Sequence, residues 1–554
     1  MLLKKIARII LYLLLLSVIV IVLLQSGIRI FVNGRLQTYI QTQISSFTQG
    51  RYTLLVDDVK ISLINHSIVI NNIKLLPLKL CSDCDNARYG VTADKISLNG
   101  IGIFSYLRDK SVNADNLVFD NLSINIYQGK AGLPKKEADS VKKNFSIYPL
   151  LGPKFKSLLV KNIDISNAKI RVFKNTDSIN SVFSTEENFI AVKNFAINST
   201  VERLNRLFLA DTFSVKMKTF TYHLGNGLYT MAGKNLSTSY SDSLLTIDSL
   251  KLIPNYAKKE FGQVVGYQVS RVNIVTEKVS FLKMDVKLFL EHNWFISEKL
   301  YLDGFNVQVF RDKNIPFKNI VRPSVQQLVR KIPFFISVDS IMIRDGSIAY
   351  EDLGEGANKA GKVTFTKVSG VITGLQNDTT IYNEKSILKL DATSLLMGKG
   401  KLAATYRFPL TTSKEVFTCS GRLETMPMSY INAFVEAGPR VAIRDGIIDS
   451  AVFNFSANEF ASKGKMKFVY HDLRIELLNK DDDGSSAKKQ LFTFIAQKFV
   501  LHEQNPDKGK PLRVTDIGFE RNPYRFFFFY TWQSLLSGIK PALGVPKNMK
   551  IRSK

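Results

Sequence analysis

Few residues in this sequence combine the types and spacing that catalysis requires. Residues 356–362 approximate a phosphate-binding loop, but Val363 stands where magnesium binding needs a hydroxyl, and a strand pattern follows. We predict a hairpin loop there. The acidic run 481–484 lacks the alternating ligand spacing of a calcium loop. No two histidines lie within 30 residues of each other: His66, His223, His292, His471 and His502. We therefore predict no catalytic residue, no metal site and no cofactor, and expect no enzymatic activity.

The CxxC pair Cys81 and Cys84 leaves three interpretations open. It can form a small-loop disulfide, remain a pair of free thiols, or act as a redox pair. Cys419 is the only other cysteine, so a zinc site built from two CxxC pairs is excluded. In an oxidising compartment the local disulfide is the favoured interpretation.

The overall composition narrows the class of protein. The chain has 554 residues, of which 45% are hydrophobic and 22% charged, so it can bury large cores and is not disordered over most of its length. Lys and Arg number 75 against 48 Asp and Glu, giving a formal net charge of +27. This charge favours polyanionic partners such as nucleic acid or anionic lipid headgroups.

The N-terminal segment predicts a membrane anchor. Residues 9–28 carry no formally charged side chain, and a helix of this length spans roughly 30 Å, the thickness of the hydrocarbon core. A cleaved signal peptide is the alternative, but no small-x-small cleavage site follows the segment. Three basic residues precede it and two follow it, which favours a cytoplasmic N-terminus. Nucleic acid is then not an expected partner. The anchor residues include Ile9, Leu13, Leu16, Ile19 and Leu23.

Beyond the anchor the hydrophobic period changes from helical to extended. Residues 33–50 have apolar side chains at three- and four-residue spacing, which predicts a short amphipathic helix. From Arg51 onward apolar and polar residues alternate, as in strands with one face in water. The strand pair around 59–62 and 68–73 is an example.

A ten-residue frame recurs five times: two alternating apolar positions, then Asn, Asp or Gly, then two more. The copies begin at Leu117, Ile163, Leu300, Ile341 and Val441. Asp-Gly between alternating runs indicates a tight turn, so each copy is predicted as strand, bend and strand. Their irregular spacing excludes a strict solenoid.

These patterns predict a mostly β protein with an elongated, curved antiparallel β-sheet groove, one N-terminal transmembrane helix, a short amphipathic helix and a mixed C-terminal cap. An ordinary β-sandwich with Asp-Gly turns is the alternative. The predicted regions are the cytoplasmic stub and anchor (1–32), the amphipathic helix (33–50), a first β-rich groove region (51–313), a short helical connector (314–333), a second β-rich groove region (334–480), a polar linker (481–489) and a strand and helix cap (490–554).

The anchor, the amphipathic segment ending at Gly50, the first strand pair and the repeated frames together resemble the AsmA-like family of bacterial envelope proteins. Residues 441–450 and 464–473 and the hydrophobic C-terminal end add to the resemblance. It implies a single-pass inner-membrane protein whose bulk is periplasmic, related in design to TamB-like and bridge-like lipid-transfer proteins. The implied roles are phospholipid transport and outer-membrane biogenesis, and the implied partners are the inner membrane, phospholipid or another acyl lipid, and outer-membrane assembly proteins. The resemblance supplies no catalytic residue.

The strand pattern offers a physical route to the same function. An open sheet must cover its apolar face, and acyl chains can do so at roughly 0.8 kcal/mol per buried CH₂. A scaffold that binds protein strands and no lipid is the alternative, and a hydrolase whose polar cluster is dispersed along the sequence is a further one. The predicted lipid-facing residues are Ile124, Ile163, Ile165, Ile170, Ile341, Ile343, Ile348 and Ile443.

Overall fold

The structure is a computed structural model that describes residues 48, 50–62, 64–78, 87–102, 105, 108–128, 156–174, 181–198, 209–411, 415–437, 441–477 and 501–545. The predicted anchor, nearly all of the predicted amphipathic helix, Cys81, Cys84 and the polar linker lie outside these residues. Of the described residues 59% are in strands and 13% in helices, which confirms the mostly β prediction. Within the same ranges, no helix combines the length and the apolar character needed to cross a membrane.

The described chain folds into two compact units. Unit 1 contains the residues up to Leu250 together with Leu282–Trp294, and unit 2 contains Lys251–Phe281 and the residues from Phe295 onward. The strands of unit 1 are β1 (Tyr52–Leu55), β2 (Asp58–Ser62), β3 (Ser67–Pro77), β4 (Arg88–Asn99), β5 (Ser111–Asp120), β6 (Ser123–Tyr127), β7 (Ser157–Phe173), β8 (Phe183–Ile197), β9 (Thr212–His223) and β10 (Tyr229–Ser239).

Strands β11 (Leu244–Pro254) and β13 (Lys278–Leu282) include the boundary residues. The remaining strands belong to unit 2: β12 (Ser270–Val275), β14 (Phe295–Asp303), β15 (Asn306–Asp312), β16 (Ile336–Leu353), β17 (Gly361–Gln376), β18 (Ile387–Leu396), β19 (Gly400–Pro409), β20 (Phe417–Leu423), β21 (Met426–Pro427), β22 (Val441–Ala457), β23 (Ala461–Leu477) and β24 (Val514–Glu520). The helices are α1 (Lys258–Val265), α2 (Val286–His292), α3 (Val325–Arg330), α4 (Asn432–Val435) and α5 (Phe527–Ala542).

The recurring frame is a continuous bulged strand in its second, fourth and fifth copies, and the tight turn predicted there is wrong. The first and third copies are each two strands with a break at Asn121 and Gly304, as the strand, bend and strand prediction expected. In the second copy β7 runs unbroken from Ser157 to Phe173, with Asn167 at φ 51° and a register shift against β8. The bulge inserts one extra residue, which restores the alternation after the odd spacing between Ile165 and Ala168. Both residues therefore lie in the same buried cluster. The bend keeps the apolar face continuous and does not reverse the chain.

The first copy of the frame pairs in parallel with the second, and the third with the fourth, so the predicted antiparallel sheet contains parallel pairs. β5 and β6 are successive segments of the first copy, and both pair in parallel with β7, placing Leu117 opposite Ile163. β14 and β15 pair in the same way with β16, placing Leu300 opposite Ile341. Most of the other pairings are antiparallel, including β2 with β3, the strand pair expected from the sequence.

Each unit has its own hydrophobic core. In unit 1 the inward side chains of strands β1 to β10 form one buried cluster, joined by Val286 and Leu290 of α2. In unit 2 the buried cluster lies on strands β18 to β24 and against α5. The Gly356 segment connects the antiparallel strands β16 and β17, as the hairpin prediction required.

Candidate functional site

Four of the predicted lipid-facing residues lie in unit 1 and are sealed within its core. Ile124, Ile163, Ile165 and Ile170 are only 1% to 3% exposed and belong to the same buried cluster. Protein atoms already fill the space around these side chains. An acyl chain would have to displace them to reach this face.

The predicted residues in unit 2 have different surroundings. Ile341 is buried, whereas Ile343, Ile348 and Ile443 are half-buried. The bulge of β16 falls between Ile343 and Ile348 and shifts the register against β17. As in β7, this shift keeps the isoleucines of the frame on one face.

The half-buried isoleucine Ile348 belongs to a continuous row of apolar side chains across unit 2. Its neighbour on β15 is Val307, and its neighbour on β17 is Phe365. Every member of the row is half-buried. Directly opposite residues on paired strands project to the same face, so the row is a lateral apolar stripe. We call it the first apolar row: Leu252, Ile274, Val307, Ile348, Phe365 and Leu396.

A second apolar row runs beside the first, two residues further along each strand. It consists of Val272, Val309, Tyr350 and Val363, all half-buried. Burial raises the pKa of the Tyr350 phenol to about 12, so this side chain is neutral at physiological pH. The two rows together form an apolar surface that is neither sealed like the core of unit 1 nor fully open.

The next position along the strands changes the chemistry from apolar to ionic. Arg311 lies opposite Asp352, and its Nε and Nη2 donate to the two carboxylate oxygens at 3.2 and 2.9 Å. The Lys313 ammonium approaches the same carboxylate at 2.7 Å. Burial alone would raise the pKa of Asp352, but the hydrogen bonds and charges of Arg311 and Lys313 outweigh it and lower the pKa. The apolar rows thus end at a charged group with more cations than carboxylates.

Helix α5 covers another part of the same unit. The Phe527 ring lies 5.0 Å from the Phe417 ring, and Thr515 Oγ1 donates to the Gly538 carbonyl at 2.7 Å. Gly538 packs so closely on Met466 that a Cβ there would lie 3.1 Å from that side chain. This helix seals the apolar side chains of strands β19 to β24. At its N-terminal end, Phe528 lies 5.6 Å from Tyr350 of the second apolar row.

A shallow concavity of about 570 Å³ lies beside the rows, on strands β16 to β20. Its floor includes Gly370, Ala392, Ala404 and Gly421, which lie directly opposite one another. Side chains next to these residues along each strand, such as Val371 and Asp391, also line the concavity and project to the opposite face from Ile343. The concavity therefore lies on the face of the sheet opposite to the apolar rows and is not part of them.

The described residues contain no group of three or more side chains suited to hold a metal ion. His471 forms a surface pair with Asp449 at 2.9 Å. Cys419 is a buried thiol whose pKa is raised to about 12 by desolvation, so it is not an activated nucleophile. The predicted cysteine pair lies outside the described residues, and its redox state stays a prediction.

Comparison of the chain with known protein families found no matching family, and comparison with curated proteins found no match. The resemblance to AsmA-like proteins remains a prediction from the sequence.

Sequence reasoning missed most of the two apolar rows. Each strand of the rows alternates apolar and polar residues. This alternation identifies which side chains share a face of the strand, but not which strands lie beside it in the sheet. Tyr350 and Val363 are joined only by the pairing of β16 with β17. The Arg311 and Asp352 pair is 41 residues apart and has no local signal.

Proposed function

We propose that this chain is a membrane-anchored periplasmic protein whose apolar sheet face binds acyl chains and assists phospholipid transport or outer-membrane biogenesis. The N-terminal hydrophobic segment supplies the anchor, and the elongated groove expected from the sequence supplies the path. The observation that carries the proposal is the first apolar row, which crosses six paired strands of unit 2 with every side chain half-buried.

Half-buried apolar side chains leave surface in water, and covering it contributes about 25 cal/mol per Å². An extended acyl chain is long and narrow, so it matches a lateral stripe better than a compact ligand does. Each CH₂ that it buries contributes about 0.8 kcal/mol. An acyl chain of ordinary length can therefore bind through the burial of its CH₂ groups alone, without a specific polar contact.

The charged end of the rows agrees with an amphiphile. Tyr350 is followed by the Arg311 and Asp352 pair, with Lys313 and Arg525 nearby. Excess positive charge beside an apolar stripe suits a ligand with a hydrocarbon tail and an anionic headgroup. The net charge of +27 supports an anionic partner in general.

Photocrosslinking tests this proposal. The full chain, purified in mild detergent, is mixed with a phospholipid that carries a photoactivatable acyl chain, and crosslinked peptides are identified by mass spectrometry. We expect crosslinks in β12, β15, β16 and β17 and none in β7. Val307→Asp should reduce crosslinking at least tenfold, because it places a charge against hydrocarbon.

Gln308→Asp is the matched control. Gln308 is an exposed neighbour of Val307 on the other face, so this substitution adds the same charge without touching the row. Equal crosslinking in both variants, or crosslinks confined to β7, would contradict the proposal. A folded protein that takes up no phospholipid at all would favour the scaffold that binds protein strands.

A further inference from the structure

A patch of exposed apolar side chains surrounds the start of helix α5 in unit 2. Phe526 and Phe528 are 44% and 46% exposed. Phe317 and Val321, in the segment between β15 and α3, are 39% and 68% exposed. We call these four residues, together with Lys318, Arg322 and Arg525, the aromatic-basic patch. Large apolar side chains grouped in this way on a surface commonly mark an interaction site.

Basic side chains lie between the aromatic rings of the patch. The Arg525 guanidinium stacks 4.0 Å from the centre of the Phe317 ring, and the Arg322 guanidinium lies 4.6 Å from that of Phe526. Lys318 lies 5.3 Å from the ring of Tyr267. These contacts hold the cations beside the apolar groups, with Lys318 exposed and Arg322 and Arg525 half-buried.

The charge of the patch is not neutralised within the protein. In the described ranges, no carboxylate forms an ion pair with Arg322 or Arg525. Asp352, the acidic group whose charge acts on Arg525, is already paired with Arg311 and Lys313. Burial and the neighbouring Arg311 lower the pKa of Arg525, as expected where cations outnumber carboxylates. The patch therefore has uncompensated positive charge that an external anion can stabilise.

We propose that the aromatic-basic patch docks onto a bilayer surface rich in anionic phospholipid. Aromatic rings favour the boundary between headgroups and acyl chains, while Arg and Lys reach the phosphates. A protein partner would instead bury the rings in an apolar pocket, and its binding would not depend on the charge of a lipid. The mixture of exposed Phe with unpaired cations fits a charged membrane interface better.

Docking has a consequence for the rows. Phe528 of the patch contacts Tyr350, the member of the second apolar row nearest to α5. A bilayer held at the patch would present its lipids next to that row. This consequence rests on the proposed function, whereas docking itself does not require acyl chains in the rows.

Vesicle flotation tests docking with the full chain, its N-terminal segment held in nanodiscs of phosphatidylcholine. The nanodiscs are mixed with vesicles of phosphatidylcholine alone or with added phosphatidylglycerol. We expect binding to the anionic vesicles only, weakened by salt. Arg322→Gln and Arg525→Gln should each weaken it about fivefold, and Arg525→Lys should restore most of it. Phe526→Ser combined with Phe528→Ser should weaken it about tenfold or more.

A matched control is available elsewhere in unit 2. Ile381 is 53% exposed, so Ile381→Ser removes comparable apolar surface outside the patch. Docking that is unchanged in the patch variants, or equal on neutral vesicles, would overturn the inference. Hydrogen exchange in β24 and α5 shows whether each variant is folded, and the arginine variants provide a second measure if the double Phe variant unfolds.

The two proposals fail separately. A patch variant that loses docking should still crosslink to photoactivatable phospholipid in detergent. Val307→Asp should lose that crosslinking and still dock. Loss of docking with normal crosslinking in the patch variants is the expected result and supports both proposals. Normal docking in those variants would reject docking by the patch and leave lipid binding by the rows standing.

Discussion

The two units use the same alternating strands but cover their apolar faces to different extents. In unit 1 the frame residues Ile163 and Ile170 are almost completely buried in a continuous core. In unit 2 the corresponding frame residue Ile348 and its lateral neighbours are half-buried. Both regions contain a frame pair joined in parallel, β6 with β7 and β15 with β16. The same local pattern thus supports a closed core in one unit and an incompletely covered stripe in the other.

This difference shows that the frame by itself does not define a lipid site. The bulged strand sets which side chains share a face, and that is a local property. Whether the face is sealed depends on what packs against it. In unit 2 helix α5 seals the strands around Phe417 but reaches only as far as Tyr350 at the rows. Substitutions in the sealed core of unit 1 should therefore lower the free energy of unfolding strongly. Substitutions in the apolar rows of unit 2 should mainly affect ligand binding.

The largest expected effect is in the sealed core. Ile163→Ala should destabilise unit 1 by about 4 kcal/mol, because it removes buried methyl groups and leaves a cavity. Hydrogen exchange followed by mass spectrometry, read in the peptides of β7 and β8, measures the local free energy of opening. A loss below about 1 kcal/mol would show that the core can collapse around the cavity, and that the contrast between the units is smaller than the burial indicates.

A second test concerns the charged end of the rows. Asp352→Asn should destabilise β15 and β16 by about 3 kcal/mol, because it leaves the mostly buried Arg311 without its partner. The pKa of Asp352 is lowered in the folded protein, so its contribution is present above the unfolded pKa of roughly 3.9 and is lost as pH falls through the folded pKa. The free energy of opening of these strands, obtained from wild-type exchange after correction for the pH dependence of intrinsic amide exchange, should fall at acid pH, and the Asn variant should lack that step. The same acid step in both would exclude Asp352 as its source.

The floor of small residues should respond to added volume. At Gly370 a Cβ would lie 2.5 Å from the Asp391 carbonyl oxygen, so Gly370→Ala should cost about 2 kcal/mol as β17 and β18 move apart. Gly518→Ala is the control, since its nearest neighbour would be 4.0 Å away. Thermal unfolding monitored by exchange in β18 compares them. Equal stability of the two variants would show that the small residues are not required for close strand packing.

The smallest expected effect is in the first apolar row. Ile348→Ala should cost only about 1 kcal/mol in the absence of lipid, because the side chain is only half-buried and its removal leaves no closed cavity. Bound phospholipid should make the variant less stable relative to wild type, since the lost methyl groups then face an acyl chain. Exchange in β16 with and without phospholipid measures both values. A loss as large as that of Ile163→Ala would mean that the row is part of a sealed core.

Much of the fold was accessible to sequence reasoning. Alternation of apolar and polar residues identified a mostly β chain, the β2 and β3 pair and the hairpin between β16 and β17. The frame was also identified, but its bend was assigned to a turn. Asp345 and Asn167 adopt positive φ in a bulge as readily as in a turn, so residue type alone does not distinguish them.

The candidate site was predictable only in part. The frame singled out Ile343 and Ile348, because their strand pattern is local. It did not distinguish them from Ile163 and Ile165, which follow the same pattern and are sealed. The aromatic run that begins α5 was visible in the sequence, yet its pairing with Phe317 through Arg525 was not.

The amino-acid sequence by itself determined which side chains alternate, where the alternation shifts by one residue, and that the chain has a large excess of positive charge. These properties depend on neighbours along the chain and on composition. The tertiary structure alone decided that copies of the frame pair in parallel, that Arg311 meets Asp352, and that one apolar face is sealed while another stays half-buried. Burial depends on which distant strands and helices pack together, because the same side chain gains or loses solvent contact only through those neighbours.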